Sequence, residues 1–371
     1  MRYFIICGEL SGDLYAYELA KRLKEKNTQI IGIGGPKLKS IANKFLFLST
    51  KDNKIGLGYW IQKWTTYRQL YKKTNHYLKN NKIDKVILID FQHHNIKLAS
   101  YIKKYNIPII TFITPNFWIW KDKKQAQKII SFSNIIITIY KKEYLFYKSL
   151  TKKPVFYFGH PMIALLKNTP LLSTNKSKSI ITLFPGSRRQ ELSLYLNPML
   201  KSAKILHQKY PKKTFYLALS TKYFFKKIEK ALKKNNCSFI KINTNNNHHL
   251  FEKSECILCA SGTSTLNGLF YNTKMVILAA LPHITFLVAK YILKIKIPFV
   301  TLPNIIANKE IIPELVQYNI NTKNIIASIE KQLNNKQSLS QTRAETIENL
   351  KKETSKNIFE KVMLQIKKKT Y

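Results

Sequence analysis

Acidic residues are scarce in this chain. Its 371 residues hold 20 Asp and Glu against 63 Lys and Arg, a formal net charge of +43. Such a field repels cationic partners and attracts polyanions: nucleic acid, anionic membrane or phosphorylated substrates. It names none of them, because the abundance of Ile, Asn, Lys, Phe and Tyr is also what A/T-rich codons supply. Cysteine is sparse as well, at Cys7, Cys237, Cys256 and Cys259. Only the last two are close, inside the apolar run "CILC". A zinc centre needs a second ligand pair at matching spacing, and none is present, so the thiols are expected buried in a reducing cytoplasm. Long apolar runs are missing too. "MRYFIICGELSGD" is too short in apolar residues for a signal peptide. The stretch from Met275 to Phe299 is broken by Pro282, His283, Lys290, Lys294 and Lys296, short of a spanning helix. The chain is expected to be soluble or peripheral. A Walker loop is absent, and "GIGGP" (32–36) is not G-x-G-x-x-G, so neither nucleotide fingerprint applies. There is no short-period repeat, and low complexity is confined to "NTNNNHH" (243–249).

What is present is a core-forming composition, 45% hydrophobic and 12% aromatic, in a length that suits about two domains of ~150 residues. The first half alternates "YFIICG" (3–8), "QIIGIGG" (29–35), "KVILID" (85–90), "IPIITFIT" (107–114) and "NIIITIY" (134–140) with Lys-rich stretches of helical period. Continuous β-branched runs mark strands buried on both faces of a parallel sheet, hence a doubly wound α/β domain. "LLKNTPLLSTNKSKS" (165–179) has linker character. The alternation then restarts with "IITLFPG" (180–186), "TFYLALS" (214–220), "SFIKI" (238–242), "CILCAS" (256–261) and "MVILAA" (275–280). The expected organisation is a first Rossmann-like domain at 1–165, a second at 166–340, and a helical segment at 341–371 that packs back on the first domain or on a partner subunit. Two such domains are expected to face a cleft formed by the carboxyl ends of their strands, where ligands bind in open sheets.

Several motifs fall at those strand ends. "TLFPGSRRQEL" (182–192) turns from strand to helix through Pro-Gly-Ser. Free backbone N–H groups and a helix dipole there favour a phosphate, and Arg188 adds a charge-assisted clamp. "ASGTSTLNGL" (260–269) is a second such junction, with Ser261, Gly262 and Thr263 offering hydroxyls and N–H groups. "CGELSGDLYA" (7–16) brings Gly8, Glu9, Ser11, Gly12 and Asp13 to the edge of the first sheet, either to meet a ligand or as plain helix capping by Ser11. "VILIDFQHHN" (86–95) ends an apolar strand on Asp90, well placed for a general base; His93 and His94 lack the further ligands of a metal site. "IGLGYWIQKW" (55–64) sets Tyr59, Trp60, Ile61 and Trp64 among basic residues, the composition of an interfacial helix or of a core one.

In this order, "GELSGD", "GIGGP", "ID" followed by Asn95, "TPNFWIW", "FGHPM" (158–162), "LFPGSRRQEL", "ASGTSTL" and "LPN" (302–304) resemble the bacterial lipid-A-disaccharide synthases. These are inverting glycosyltransferases of the two-Rossmann-domain GT-B type, and the match runs from the first strand to about Leu315. The resemblance implies coupling of UDP-2,3-diacylglucosamine to 2,3-diacylglucosamine 1-phosphate, giving the β-1′,6-linked disaccharide and UDP with no metal or other cofactor. It implies Asp90 as the base and Arg188 as the group that stabilises charge on the leaving diphosphate. Gly186, Ser187, Arg188, Glu191, Ser261, Gly262, Thr263 and Asn304 would bind the donor. Gly8, Glu9, Ser11, Gly12, Asp13 and Asn95 would line the acceptor side, and Tyr59, Trp60, Ile61 and Trp64 would meet acyl chains. Its partners would be the two lipid substrates and the inner-membrane surface, which a basic protein joins from the cytoplasm at ~1 kcal/mol per well-placed Lys or Arg. No nucleic-acid partner is implied, and a homodimer through the C-terminal parts is compatible with it.

The chain departs from the family pattern at His93 and Asn267, where acids are usual, at Ala279–Ala280, where an aromatic–Arg pair is usual, and at Asn308, where glycine is usual. Two other readings follow. One is a relative with weakened catalysis that acts as a basic binder of membrane or nucleic acid. The other is a sugar-nucleotide epimerase working on soluble substrate.

Overall fold

Strands that are apolar on both faces require covering on both faces, and that requirement sets the architecture. The computed structural model describes residues 1–49, 60–90, 92–167, 179–219, 222–244, 247–281, 286, 298–335 and 341–368. Tyr59 lies outside the described residues, as do the side chains of Trp60, Ile61, Trp64, His93 and His94. The chain forms two compact units, Met1–Leu165 with Lys352–Tyr371, and Leu166–Lys351.

Among the described residues the first unit holds seven strands: β1 (Arg2–Cys7), β2 (Gln29–Gly34), β3 (Lys44–Leu48), β4 (Lys85–Ile89), β5 (Ile109–Phe112), β6 (Ile135–Thr138) and β7 (Val155–Tyr157). Their order is β3-β2-β1-β4-β5-β6-β7, and every pair is parallel. The central strands are fully buried, as in β4 and β5. One core runs from Phe4, Ile6 and Leu88 to helix residues Leu98, Ala99 and Ile129. The helix Ile358–Lys367 belongs to this unit and packs on the helix Leu10–Leu23. Lys85 ties it down by donating from Nζ to the carbonyls of Ile366 at 2.5 Å and Lys368 at 2.6 Å. The charge of Lys85 thus completes a helix C-terminus, where a cation is favoured.

The second unit repeats the plan with β8 (Ile180–Phe184), β9 (Thr214–Ala218), β10 (Ile240–Asn243), β11 (Cys256–Ala260), β12 (Lys274–Ala279) and β13 (Glu314–Val316). Its order is β10-β9-β8-β11-β12-β13, again all parallel. The helix Gln341–Glu353 lies in this unit as far as Lys351. All four cysteines are free and buried, and burial pushes the Cys256 and Cys259 thiols up to about 12.

In each sheet the chain starts at a middle strand, winds out to one edge, and returns to wind out to the other. The order therefore reverses between β1 and β4 in the first sheet and between β8 and β11 in the second. Loops on the two sides of such a reversal diverge, which leaves a crevice at the carboxyl ends of the strands.

Candidate active site

Asp90 follows β4 at the reversal point of the first sheet. Its backbone is left-handed, φ 38°, a conformation that Asp adopts more readily than most residues. The helix Leu10–Leu23 opens on the other side of the same reversal, after β1. Its N-cap is Glu9, in extended conformation and without a side-chain cap bond, so of the two readings of Ser11 the one as helix cap does not hold. Ser11 instead lies in the first turn and donates from Oγ to Asp90 Oδ2 at 3.2 Å. Gly12 lets this turn close on the acid: a Cβ there would stand 3.4 Å from that of Asp90. Gly8 and Glu9 form the connecting turn. Asn95, in the helix Gln92–Ile102, is 3% exposed, and its Oδ1 has no hydrogen-bond partner. The structure thus joins Ser11, Gly12 and Asp90 at one point.

Asp13 requires a correction. Its carboxylate is 1% exposed and accepts three backbone N–H bonds, from Gly35, Lys37 and Leu38, each at 2.9 Å. It caps the helix Pro36–Ile41, which explains why "SGD" and "GIGGP" occur together. A side chain on Gly35 would collide with that carboxylate. Asp13 holds the first unit together and leaves no oxygen to meet a substrate.

At the reversal point of the second sheet, β8 ends and the chain turns through Gly186, φ 100°, into the helix Arg189–Lys209. A Cβ on Gly186 would run into Glu191. The expected free N–H groups at this corner are not free: Glu191 Oε2 accepts from Ser187 N at 2.7 Å and from Arg188 N at 3.1 Å. Glu191 is the third helical residue reaching back over the N-terminus, the acid half of a capping box. Its other oxygen lies 3.7 Å from Arg188 Nη1. A diphosphate at this corner would therefore be met by guanidinium and hydroxyl, with Glu191 shaping the loop rather than touching the ligand.

Across the same reversal, β11 leads through Ser261, Gly262 and Thr263 into the helix Ser264–Phe270. Thr263 is its N-cap and makes no side-chain cap bond, and space is open beside Gly262 out to 4 Å. Asn267 Oδ1 is buried there without a hydrogen-bond partner.

Asn304 also requires a correction. It is fully buried and saturated by its own unit. Its Nδ2 donates to Ile312 O at 2.8 Å and Glu314 Oε1 at 2.7 Å, while Oδ1 accepts from Ile311 N and Ile312 N. It braces the start of β13 and has nothing left for a donor nucleotide. Asn308 ends the helix Leu302–Ala307 in left-handed conformation, φ 52°, so asparagine fills a position that suits glycine next best. Ala279 closes β12, and Ala280 is pinned by Tyr195, whose hydroxyl accepts from its N–H at 2.7 Å.

Sequence reasoning missed a buried acid. Glu143 accepts from Thr114 Oγ1 and from the N–H groups of Ile139, at 2.8 Å, and Tyr140, at 3.2 Å. Burial pushes its pKa up to about 7 against the lowering pull of these bonds. Only its place three residues after the end of a strand-and-turn could have signalled it. Among the described residues, no three His, Cys, Asp or Glu side chains gather as metal ligands.

Residues 3–366 match the family described as Lipid-A-disaccharide synthetase. A lipid-A-disaccharide synthase of Synechocystis is 29% identical over 90% of this chain and 89% of its own length. Another from Sulfurihydrogenibium is 30% identical over 87% of each. Among solved structures, a UDP-GlcNAc 2-epimerase from Neisseria meningitidis bound to UDP-GlcNAc aligns over 99% of both chains with TM-score 0.65 and 15% identity. The Arabidopsis thaliana UGT89C1 complexed with quercetin aligns over 98% and 99% with TM-score 0.56 and 11% identity. At such identities the two structures establish the fold alone, two Rossmann-like domains of the GT-B type. With a match across nearly its whole length and acid and arginine at the reversal points of its two sheets, the chain belongs to the lipid-A-disaccharide synthetase family.

Proposed function

We propose that the chain transfers 2,3-diacylglucosamine from its UDP conjugate to 2,3-diacylglucosamine 1-phosphate, with inversion at the anomeric carbon. The observation that carries the residue roles is that Asp90 and the Gly186–Arg188 corner each stand at the reversal point of their own sheet, where α/β folds bind ligands.

The acceptor's 6-hydroxyl oxygen attacks C1 of the donor sugar, and its proton passes to the Asp90 carboxylate. The bond from C1 to the β-phosphate oxygen breaks, and both electrons leave with UDP. Arg188 meets the growing negative charge on that phosphate, a stabilisation worth several kcal/mol when preorganised, of the order of ~3 for one donor. Ser187, with Ser261, Gly262 and Thr263, supports the diphosphate and the nucleoside. Ser11, donating to one oxygen of Asp90, keeps the carboxylate in one orientation. Both substrates carry acyl chains, so a membrane-surface setting accompanies the reading. The +43 charge favours anionic lipid, and among the described residues no helix is long and apolar enough to cross a membrane.

The test is incubation of the purified protein with both lipid substrates and mass spectrometry of the products. The reading expects the acylated disaccharide 1-phosphate and one UDP per coupling. Turnover of plain UDP-GlcNAc without an acylated acceptor would favour epimerase chemistry instead.

A further inference from the structure

Three hydrogen-bond donors of the first unit are buried without an acceptor, and they share one aromatic cluster. The hydroxyls of Tyr15 and Tyr140 and the indole N–H of Trp118 have no hydrogen-bond partner. Their residues are 2%, 6% and 7% exposed. The Trp118 ring lies 5.6 Å from Tyr140, Tyr140 lies 5.2 Å from His160, and His160 lies 6.5 Å from Tyr15.

The imidazole cannot supply the missing acceptor. His160 Nδ1 already accepts from the Met162 N–H at 3.2 Å, and burial lowers the ring's pKa to about 3. The ring is therefore neutral with its proton on Nε2, which makes it a further donor. All four side chains come from the carboxyl edge of the first sheet. Tyr15 lies in the helix after β1, Trp118 in the short helix Phe117–Trp120 after β5, Tyr140 just beyond β6, and His160 beyond β7. Tyr15 stands one helical turn beyond Ser11, which donates to Asp90, and this places that end of the cluster beside the acid.

A buried donor left without an acceptor costs about 1–3 kcal/mol, and phenylalanine would fill the tyrosine positions without that cost. Three in one cluster, with Asp90 near Tyr15 and Glu143 near Tyr140, call for an occupant that accepts hydrogen bonds. A nearby carboxylate disfavours a second anion, and the aromatic walls carry no countercharge for one. A neutral oxygen satisfies both conditions.

We propose that Tyr15, Tyr140 and Trp118 form a donor site for a neutral oxygen atom, a sugar hydroxyl or an ordered water, adjoining Asp90 and orienting the acceptor sugar. The inference rests on the acceptor role given to the first unit above. Each donor that a sugar hydroxyl meets there fixes the ring of the sugar relative to the base.

Tyr15→Phe, Tyr140→Phe and the double variant test it, read by steady-state kinetics in both substrates. If the oxygen is a sugar hydroxyl, the double variant raises the acceptor KM about tenfold or more, the equivalent of ~1.4 kcal/mol, and leaves the donor KM unchanged. If it is a water, kcat falls by a similar factor at constant acceptor KM, and a high-resolution map of the wild type shows an ordered water that the double variant lacks. Unchanged kinetic constants overturn the assignment, and a melting temperature raised by the substitutions would mark the hydroxyls as never partnered. Should the wild type form no disaccharide, the parent reading fails separately. The site is then judged by calorimetric binding of glucosamine 1-phosphate, where weaker binding by the double variant supports it and equal affinity overturns it.

Discussion

Asp13 and Asp90 are carboxylates at the edge of one sheet, and their surroundings give them opposite uses. Asp13 spends both oxygens on three backbone N–H groups, while Asp90 accepts the Ser11 hydroxyl beside a glycine that keeps the approach narrow. Asp13→Ala should therefore unfold more easily by about 2 kcal/mol in urea denaturation, the cost of an N-cap with charge-assisted bonds, without a comparable change in donor KM. Sequence alone could not separate these two acids, since each follows an apolar strand within a polar, glycine-bearing turn. The same ambiguity misplaced Asn304, whose four hydrogen bonds all come from residues seven to ten positions further along the chain. Asp90 was legible because it terminates a strand buried along its whole length, and such a terminus can only emerge at the sheet's edge.

Elements were legible in proportion to their burial. Nine of the ten apolar runs became interior strands and the tenth, "SFIKI", the edge strand β10, whereas the other edge strands β3, β7 and β13 escaped notice because they are short or half-buried. The corner at Gly186 was recognisable as a strand-to-helix turn, but not that Glu191 would occupy its N–H groups. Gly186→Ala forces a Cβ into Glu191 at a left-handed backbone and should raise the donor KM about tenfold or more, measured by coupled UDP release. The second junction is steadied from behind. Arg343, 6% exposed, donates from Nη2 to Thr273 O at 2.5 Å and to Gly268 O at 3.5 Å, at the far end of the helix Ser264–Phe270. Arg343→Met should lower stability by about 2–3 kcal/mol in chemical denaturation, since two buried carbonyls lose a charged donor.

At the scale of the whole molecule, the two sheets share one winding scheme with seven and six strands, and charge determines how the protein responds to its medium. Glu143 is the buried acid with the clearest consequence. Its folded pKa, raised to about 7 from 4.5, means that the folded state binds a proton the unfolded chain releases between those values. Stability attributable to this group is present below pH 4.5 and is lost as pH rises to about 7, by up to about 3 kcal/mol at roughly 1.4 kcal/mol per unit. Glu143→Gln should flatten that segment of the stability–pH curve measured by thermal unfolding.

The central claim is that the acid at the reversal of the first sheet acts on the acceptor while the second sheet holds the nucleotide. Calorimetric UDP binding and disaccharide formation, measured together on the wild type and on Asp90→Asn, test it most directly. The account predicts unchanged UDP affinity with product formation reduced by about 10³-fold, within the range removed with a general base. Disaccharide formed by Asp90→Asn at the wild-type rate would contradict it.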